Sequence, residues 1–183
     1  MILTSPSFEN NGFIPEKFTC DGSTSLTTGG STSAPPELVE GLTTGGGDIN
    51  PELHIQNVPD DAKSLALIVD DPDAPGRTFV HWLVWNIDPK TEFIKEESSP
   101  PGLPAEAGGT KVGAVEGKTD FGAIGYGGPC PPQGVHRYFF KLYALDATLN
   151  LPAGSDKRAL EAEIEKHLIT QTELVGLYQR NHK

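Results

Sequence analysis

Asp70, Asp71 and Asp73 place three carboxylates within four positions, and His81 follows ten residues after Asp71. Pro72 and Pro75 stiffen the intervening turn and fix where the carboxylates point. A carboxylate beside an imidazole orients the ring and selects its tautomer. A second candidate segment runs from Gly125 through Gly127-Gly128-Pro129-Cys130-Pro131-Pro132-Gln133-Gly134 to His136-Arg137-Tyr138. Its glycines let main-chain N–H groups approach a ligand with no side chain in the way. Its prolines keep the rim rigid and limit the entropy lost on binding. His136 and Tyr138 are two apart in an extended run, so they share a face. Imidazoles, a phenol and accessible amides are the donors that recognise a small oxyanion. The acids are better read as supports for His81 and His136 than as ligand contacts, because an ionised carboxylate repels an anion. The same groups also suit general acid–base chemistry or a metal. No Gly-x-Ser-x-Gly elbow and no helix-borne histidine pair accompanies them. A binding protein is therefore favoured over a hydrolase, with no catalytic residue, metal or cofactor assigned.

The elements that must position these groups are strands. Leu65–Val69 is a continuous apolar run, as in a strand buried on both faces. Val80–Ile87 and Arg137–Leu145 are rich in β-branched and aromatic residues and read as two further central strands. Leu53–Val58 alternates and reads as half-buried. Sixteen Pro and 21 Gly punctuate the chain, which suits many short strands and argues against a helical bundle. Helical periodicity is confined to the C-terminal third. Ser155 is the expected cap of Asp156–Leu168, whose Leu160, Ile164 and Leu168 make one apolar stripe. Glu173–Gln179 is read as a last strand, since Gly176 weakens a helix interior.

At 183 residues the chain fits a single domain. Its net charge of −11 opposes nucleic acid and anionic membrane surfaces, while a buried site for one small anion escapes the bulk field. No stretch approaches the roughly 20 apolar residues of a membrane span, and no signal peptide is visible, so a cytoplasmic protein is expected. Cys20 and Cys130 are too few for a disulfide scaffold, and two free thiols are favoured over one bridge. Residues 23–48 stand apart. They contain Leu26-Thr27-Thr28-Gly29-Gly30 and the identical block Leu42-Thr43-Thr44-Gly45-Gly46. This Gly/Ser/Thr-rich stretch lacks the apolar content for a core and reads as an inserted surface loop. A local duplication and an engineered insertion account for the repeat equally well.

Together the two segments resemble the phosphatidylethanolamine-binding protein family, also called the Raf kinase inhibitor protein family. The first motif stands here as Asp71-Pro72-Asp73-Ala74-Pro75 with His81-Trp82, the second as Pro131-Pro132-Gln133-Gly134 with His136-Arg137-Tyr138. Thr19-Cys20-Asp21-Gly22, Asn50-Pro51-Glu52-Leu53, Thr119-Asp120-Phe121-Gly122 and Gly128-Pro129-Cys130 are similar to the prokaryotic branch. The resemblance implies a mainly β fold, an antiparallel β-sandwich with a short helix towards the C-terminus. It implies a pocket lined by Asp71, Asp73, His81, His136 and Tyr138, with Gly128 and Pro131 at the rim. The implied ligand is phosphate or a phospholipid head group, and the implied role is regulatory, as an inhibitor of a protein kinase or protease. A homodimer is also implied. Cys20 and Cys130 would both lie near the pocket, where a bridge becomes feasible if their Cα atoms come within about 7 Å. Only Gly76–Val80 separates the first turn from the histidine strand, fewer residues than in relatives with known lipid or kinase partners. A more open pocket is therefore expected, and eukaryotic kinase partners do not carry over. A scaffold whose inserted loop carries the interaction is the remaining alternative.

Overall fold

The computed structural model describes residues 1–22, 48–99 and 114–180. The inserted loop expected at 23–48 lies outside them except for Asp48. In chain order the elements are β1 (Ile2–Thr4), β2 (Gly12–Phe13), a 3-10 turn at Glu16–Phe18, β3 (Leu53–Gln56), β4 (Ser64–Asp71), β5 (Phe79–Ile87), β6 (Phe93–Ile94), β7 (Val115–Glu116), β8 (His136–Leu145), α1 (Lys157–His167) and β9 (Leu168–Tyr178). They form two sheets, ordered β1-β3-β6 and β2-β9-β8-β4-β5-β7. Every named pairing is antiparallel except β2 with β9. The fold is mainly β, as expected.

The apolar run of β4 has a specific cause. Leu65, Leu67 and Val69 enter one core, shared with Leu3, Ile55 and Ile94 of the small sheet. Ala66 and Ile68 enter a second core on the opposite face, closed by Leu160 and Ile164 of α1. Strand alternation sends successive side chains to opposite faces, so a sheet covered on both sides reads as unbroken hydrophobicity. The large sheet is thus the middle layer, and its end at Asp71, Phe79 and His136 is where the candidate residues gather.

Three expectations are corrected. The cap of α1 is Asp156, whose Oδ1 accepts from the Ala159 amide at 2.9 Å. The Ser155 hydroxyl instead donates to the Pro152 carbonyl. The helix ends at His167, and Leu168 is the exposed first residue of β9 rather than the third rung of the stripe. Its neighbours Thr170 and Thr172 are β-branched and, like Leu168 itself, pair along β8, so tertiary pairing overrides the helical spacing. Finally, Cys20 and Cys130 are not free thiols. They form a disulfide with Cα atoms 5.4 Å apart.

Glu116 of β7 is fully buried. Its Oε1 accepts from Trp82 Nε1 at 2.7 Å and from the Ser99 hydroxyl at 2.7 Å. Burial holds its carboxyl above the ordinary value of 4.5, so folding favours the protonated form. Stability from this source is complete below that ordinary value and is lost as pH rises through the folded one. Glu116→Gln keeps the acceptor and removes the titration. Its urea midpoint is expected to vary less between pH 4.5 and 8 than that of the parent chain. Parallel profiles would count against a titrating Glu116.

Candidate functional site

The three clustered acids do three different jobs. Asp70 points to the helix side of the sheet, where its buried carboxylate pairs with Lys157 at 2.6 Å and Lys141 at 3.0 Å. Asp71, one residue on, points the other way. Its Oδ1 accepts from the Asp73 amide at 2.8 Å, closing the turn, and its Oδ2 accepts from His136 Nδ1 at 2.7 Å. This pair is almost wholly buried, with side-chain exposures of 4% for Asp71 and 8% for His136. Asp73 leaves the pocket altogether. Arg137 grips it through Nε at 2.8 Å, a terminal nitrogen at 2.7 Å and its own amide at 3.0 Å. That side-chain bond holds the Asp73 carboxyl down at about 2. Asp73 thus pins the turn to β8 beside His136 and does not line the cavity.

His81 is held by backbone. Its Nδ1 lies 2.8 Å from the Gly127 carbonyl, and the Gly127 amide donates back to the His81 carbonyl at 2.9 Å. Acid support for His81 was expected, and none of the acids hydrogen-bonds it. The ring sits among Phe79, Phe121 and Tyr138, with centroids 5.2, 5.3 and 5.1 Å away. Burial pulls its pKa below the usual 6.5, against the Gly127 carbonyl and the charges of Asp71, Asp70 and Asp120, which pull upward. Phe121 is carried on a tight turn closed by Gly122 N–H to the Thr119 carbonyl, with Gly122 at φ +85°. Asp120 fixes that turn by accepting from the Val80 amide and from Arg77, each at 2.8 Å. A Cβ at Gly127 would overlap the Phe121 ring, so any larger residue there requires that ring to move.

These groups enclose a cavity of about 290 Å³, lined by Asp71, Ala74, Pro75, Phe79, His81, Phe121, Cys130, Pro131, Pro132, His136 and Tyr138. Five of the seven expected site residues are there: Asp71, His81, Pro131, His136 and Tyr138. Asp73 and Gly128 are not. The Gly128 amide, expected at the rim as a donor, is taken by Asp48 Oδ1 at 3.2 Å. The sequence reading missed Phe79 and Phe121. Phe79 carried a signal, since it lies two positions before His81 and shares its face. Phe121 stood in the Thr119-Asp120-Phe121-Gly122 motif, but nothing in that motif placed it at the pocket before the turn was folded. A larger hollow of about 700 Å³ lies along β3 and the Pro89–Phe93 turn and contains none of the expected residues.

Tyr138 supplies a further chemical feature. It is 1% exposed, and its hydroxyl has no hydrogen-bond partner among the described residues. Burial pushes its pKa up, the Cys130 backbone opposing that shift. The phenol therefore stays protonated on the wall of the cavity. No group of three or more His, Cys, Asp or Glu able to hold a metal occurs among the described residues.

Comparison with known proteins identifies this architecture. The family profile described as phosphatidylethanolamine-binding protein matches residues 4–179. The chain belongs to this family. Among its relatives, a UPF0098 protein of Pyrococcus horikoshii is 46% identical over 182 residues, covering 98% of this chain and 77% of that protein. A UPF0098 protein of Methanothermobacter thermautotrophicus is 41% identical over 180 residues, covering 98% and 99%. A solved homologue of the family from Chlamydia trachomatis is 33% identical with a TM-score of 0.75, covering 98% of this chain and 97% of that one. The Escherichia coli member YbcL is 27% identical with a TM-score of 0.74, covering 98% of each. Membership supports ligand binding in general. No helix among the described residues is long and apolar enough to cross a membrane.

Proposed function

We propose that the cavity binds a small oxyanion, the phosphoryl group of phosphate or of a phosphorylated molecule. The observation that carries this is Tyr138, a buried phenol on the cavity wall whose hydroxyl has no hydrogen-bond partner among the described residues. Buried polar groups in native proteins are nearly always paired, so a lone one in a pocket marks a place for a ligand atom. His136 adds a second donor. With Nδ1 committed to Asp71, Nε2 is the ring nitrogen left for a ligand, and it donates there when the ring is protonated. About 290 Å³ holds a phosphoryl group with a few attached atoms, at the low end of ligand pockets.

A binding role rather than catalysis is part of this proposal. The cavity's only cysteine, Cys130, is tied to Cys20 and supplies no thiolate nucleophile. Regulation of a protein kinase or protease, and a homodimer, rest on the family alone. A cytoplasmic address also remains a proposal, and the bridge restricts it to a cytoplasm that keeps protein disulfides oxidised, as in hyperthermophiles.

Phosphate titrations followed by calorimetry at pH 5.5 and pH 8 test the reading. An imidazole donates from both of its nitrogens only when protonated, so the affinity is expected to be lower at pH 8. Equal affinities, or no binding at either pH, would overturn it.

A further inference from the structure

We propose that the outer edge of β9, at residues 168–173, takes an extended, positively charged peptide segment as an added strand of the large sheet. This reading is independent of the anion pocket.

The backbone shows which groups are on offer. β8 pairs with β9 from Leu168 to Tyr178, whereas β2 meets it only at Gly176 and Leu177. Beside that short pairing, the Val175 carbonyl accepts from the Asn11 amide at 2.7 Å, and the Val175 amide donates to Asn10 Oδ1 at 2.9 Å. Both Val175 groups therefore point away from β8. Every second residue of an antiparallel strand directs its backbone groups to the same side. The β8–β9 register is regular from Val175 back to Thr170, so Glu173 and Gln171 also present N–H and C=O outward. No backbone group among the described residues meets those four. Both residues are exposed.

An open edge of this kind is normally blunted by charge, proline or a covering segment. Leu168-Ile169-Thr170-Gln171-Thr172 carries no charge and no proline, and Leu168 is 44% exposed. Ile169, Thr170 and Thr172 are β-branched, so the stretch suits an added strand. β2 already docks on the same edge from a distant part of the chain, and its two residues leave the remainder open.

Charge selects the occupant. Exposed carboxylates border the open stretch: Glu173 within it, Glu9 beside Asn10 at one end, and Asp146 at the other, where its amide bonds the His167 carbonyl. The cations of the flanking elements are engaged, Lys141 with Asp70 at 3.0 Å and Lys166 with Glu163 at 2.7 Å. A hollow of about 450 Å³ opens beside the edge, lined by Lys141, Tyr143, Gln171, Thr172 and Glu173. It has room for a long side chain of the added strand, and Glu173 gives a cationic one its partner. A second copy of this chain brings another net charge of −11 and is repelled.

The probe is the peptide acetyl-Lys-Val-Lys-Val-Lys-Val-amide, whose alternation puts its lysines on one face. Calorimetric titration of the full chain at low salt is expected to show it binding about 10-fold more tightly than the same peptide N-methylated at every residue, which keeps the charge and loses the donors. Equal affinities, or no binding of either peptide, would overturn the proposal. Glu173→Lys should weaken binding of the lysine peptide by about 10-fold, the scale of a lost charge-assisted hydrogen bond. It should strengthen binding of acetyl-Glu-Val-Glu-Val-Glu-Val-amide, and unchanged affinities for both peptides would also overturn the proposal. Hydrogen exchange locates the contact without any variant. The Gln171 and Glu173 amides are expected to gain protection when the lysine peptide is added. Protection confined to other parts of the chain, or protection of these two amides by self-association of the chain alone, would overturn it.

Discussion

A Cys20→Ser/Cys130→Ser double variant is expected to be less stable than the parent chain by about 3–4 kcal/mol, near the upper end of typical disulfide effects. The bridge joins positions 110 residues apart. Cross-linking so long a loop removes much conformational freedom from the unfolded chain, about 4.7 kcal/mol in the chain-entropy account for a 100-residue loop, with measured values usually smaller. The Cα separation of 5.4 Å lies within the normal range for a bridge, so the native backbone needs no distortion to hold it. For a chain of this size the loss corresponds to a fall in Tm of roughly 10 °C. Urea unfolding of the oxidised chain, the reduced chain and the double variant is the measurement. Identical midpoints for the oxidised and reduced chains would show that the bridge contributes nothing. The consequence reaches the site as well. Cys130 lines the cavity, and the Cys20 amide donates to the Pro129 carbonyl at 3.1 Å. The bridge and this bond tie the Glu16–Gly22 stretch to the pocket wall, so phosphate affinity should fall together with stability.

The cysteines mark where the sequence stopped being informative. Two cysteines 110 positions apart say nothing of proximity until the strands between them are placed, and the general preference for free thiols prevailed. The long strands were legible because burial on two faces leaves an unmistakable composition. The two-residue strands β2, β6 and β7 were not, since two residues carry no period. The helix was located correctly and ended wrongly, because Leu168 satisfies the four-residue spacing while belonging to the β8–β9 ladder. In the site, His136 and Tyr138 share a face by alternation along a legible strand, whereas Asp71 was placed at the pocket by the family resemblance. Asp73 and Gly128 were misplaced for a shared reason. Both were placed at the pocket by the family resemblance, whereas their partners, Arg137 and Asp48, lie 64 and 80 positions away and already use the groups in question. A side chain's availability depends on what the fold brings to it, and residue type alone does not reveal that.

The buried Asp71–His136 pair gives the second large effect, and its two halves should respond unequally. His136→Ala leaves the Asp71 carboxylate buried with no counter-charge, and breaking a buried pair in this way costs about 3–5 kcal/mol of stability. Asp71→Asn leaves an imidazole, which can shed its proton and remain buried as a neutral ring. Its one amide oxygen can accept from His136 Nδ1 but not also from the Asp73 amide, so its cost should be about 1–3 kcal/mol, the scale of one buried hydrogen bond lost. Binding should not follow that order. Both variants lose the imidazolium donor, His136→Ala by deletion and Asp71→Asn by removing the carboxylate that steadies the charged form. A hydrogen bond to a charged group contributes about 1.5–3 kcal/mol, so each should weaken phosphate binding roughly 10- to 150-fold. Urea unfolding and calorimetric titration at pH 6 separate the two quantities. If Asp71→Asn kept the parent affinity, the carboxylate would be a structural neighbour of His136 and not its electrostatic support. If it were also as destabilising as His136→Ala, the charged form of the ring would have no special place in the folded chain. The expected split, a small cost in stability with a large cost in affinity, follows only if Asp71 acts on the anion through the ring of His136.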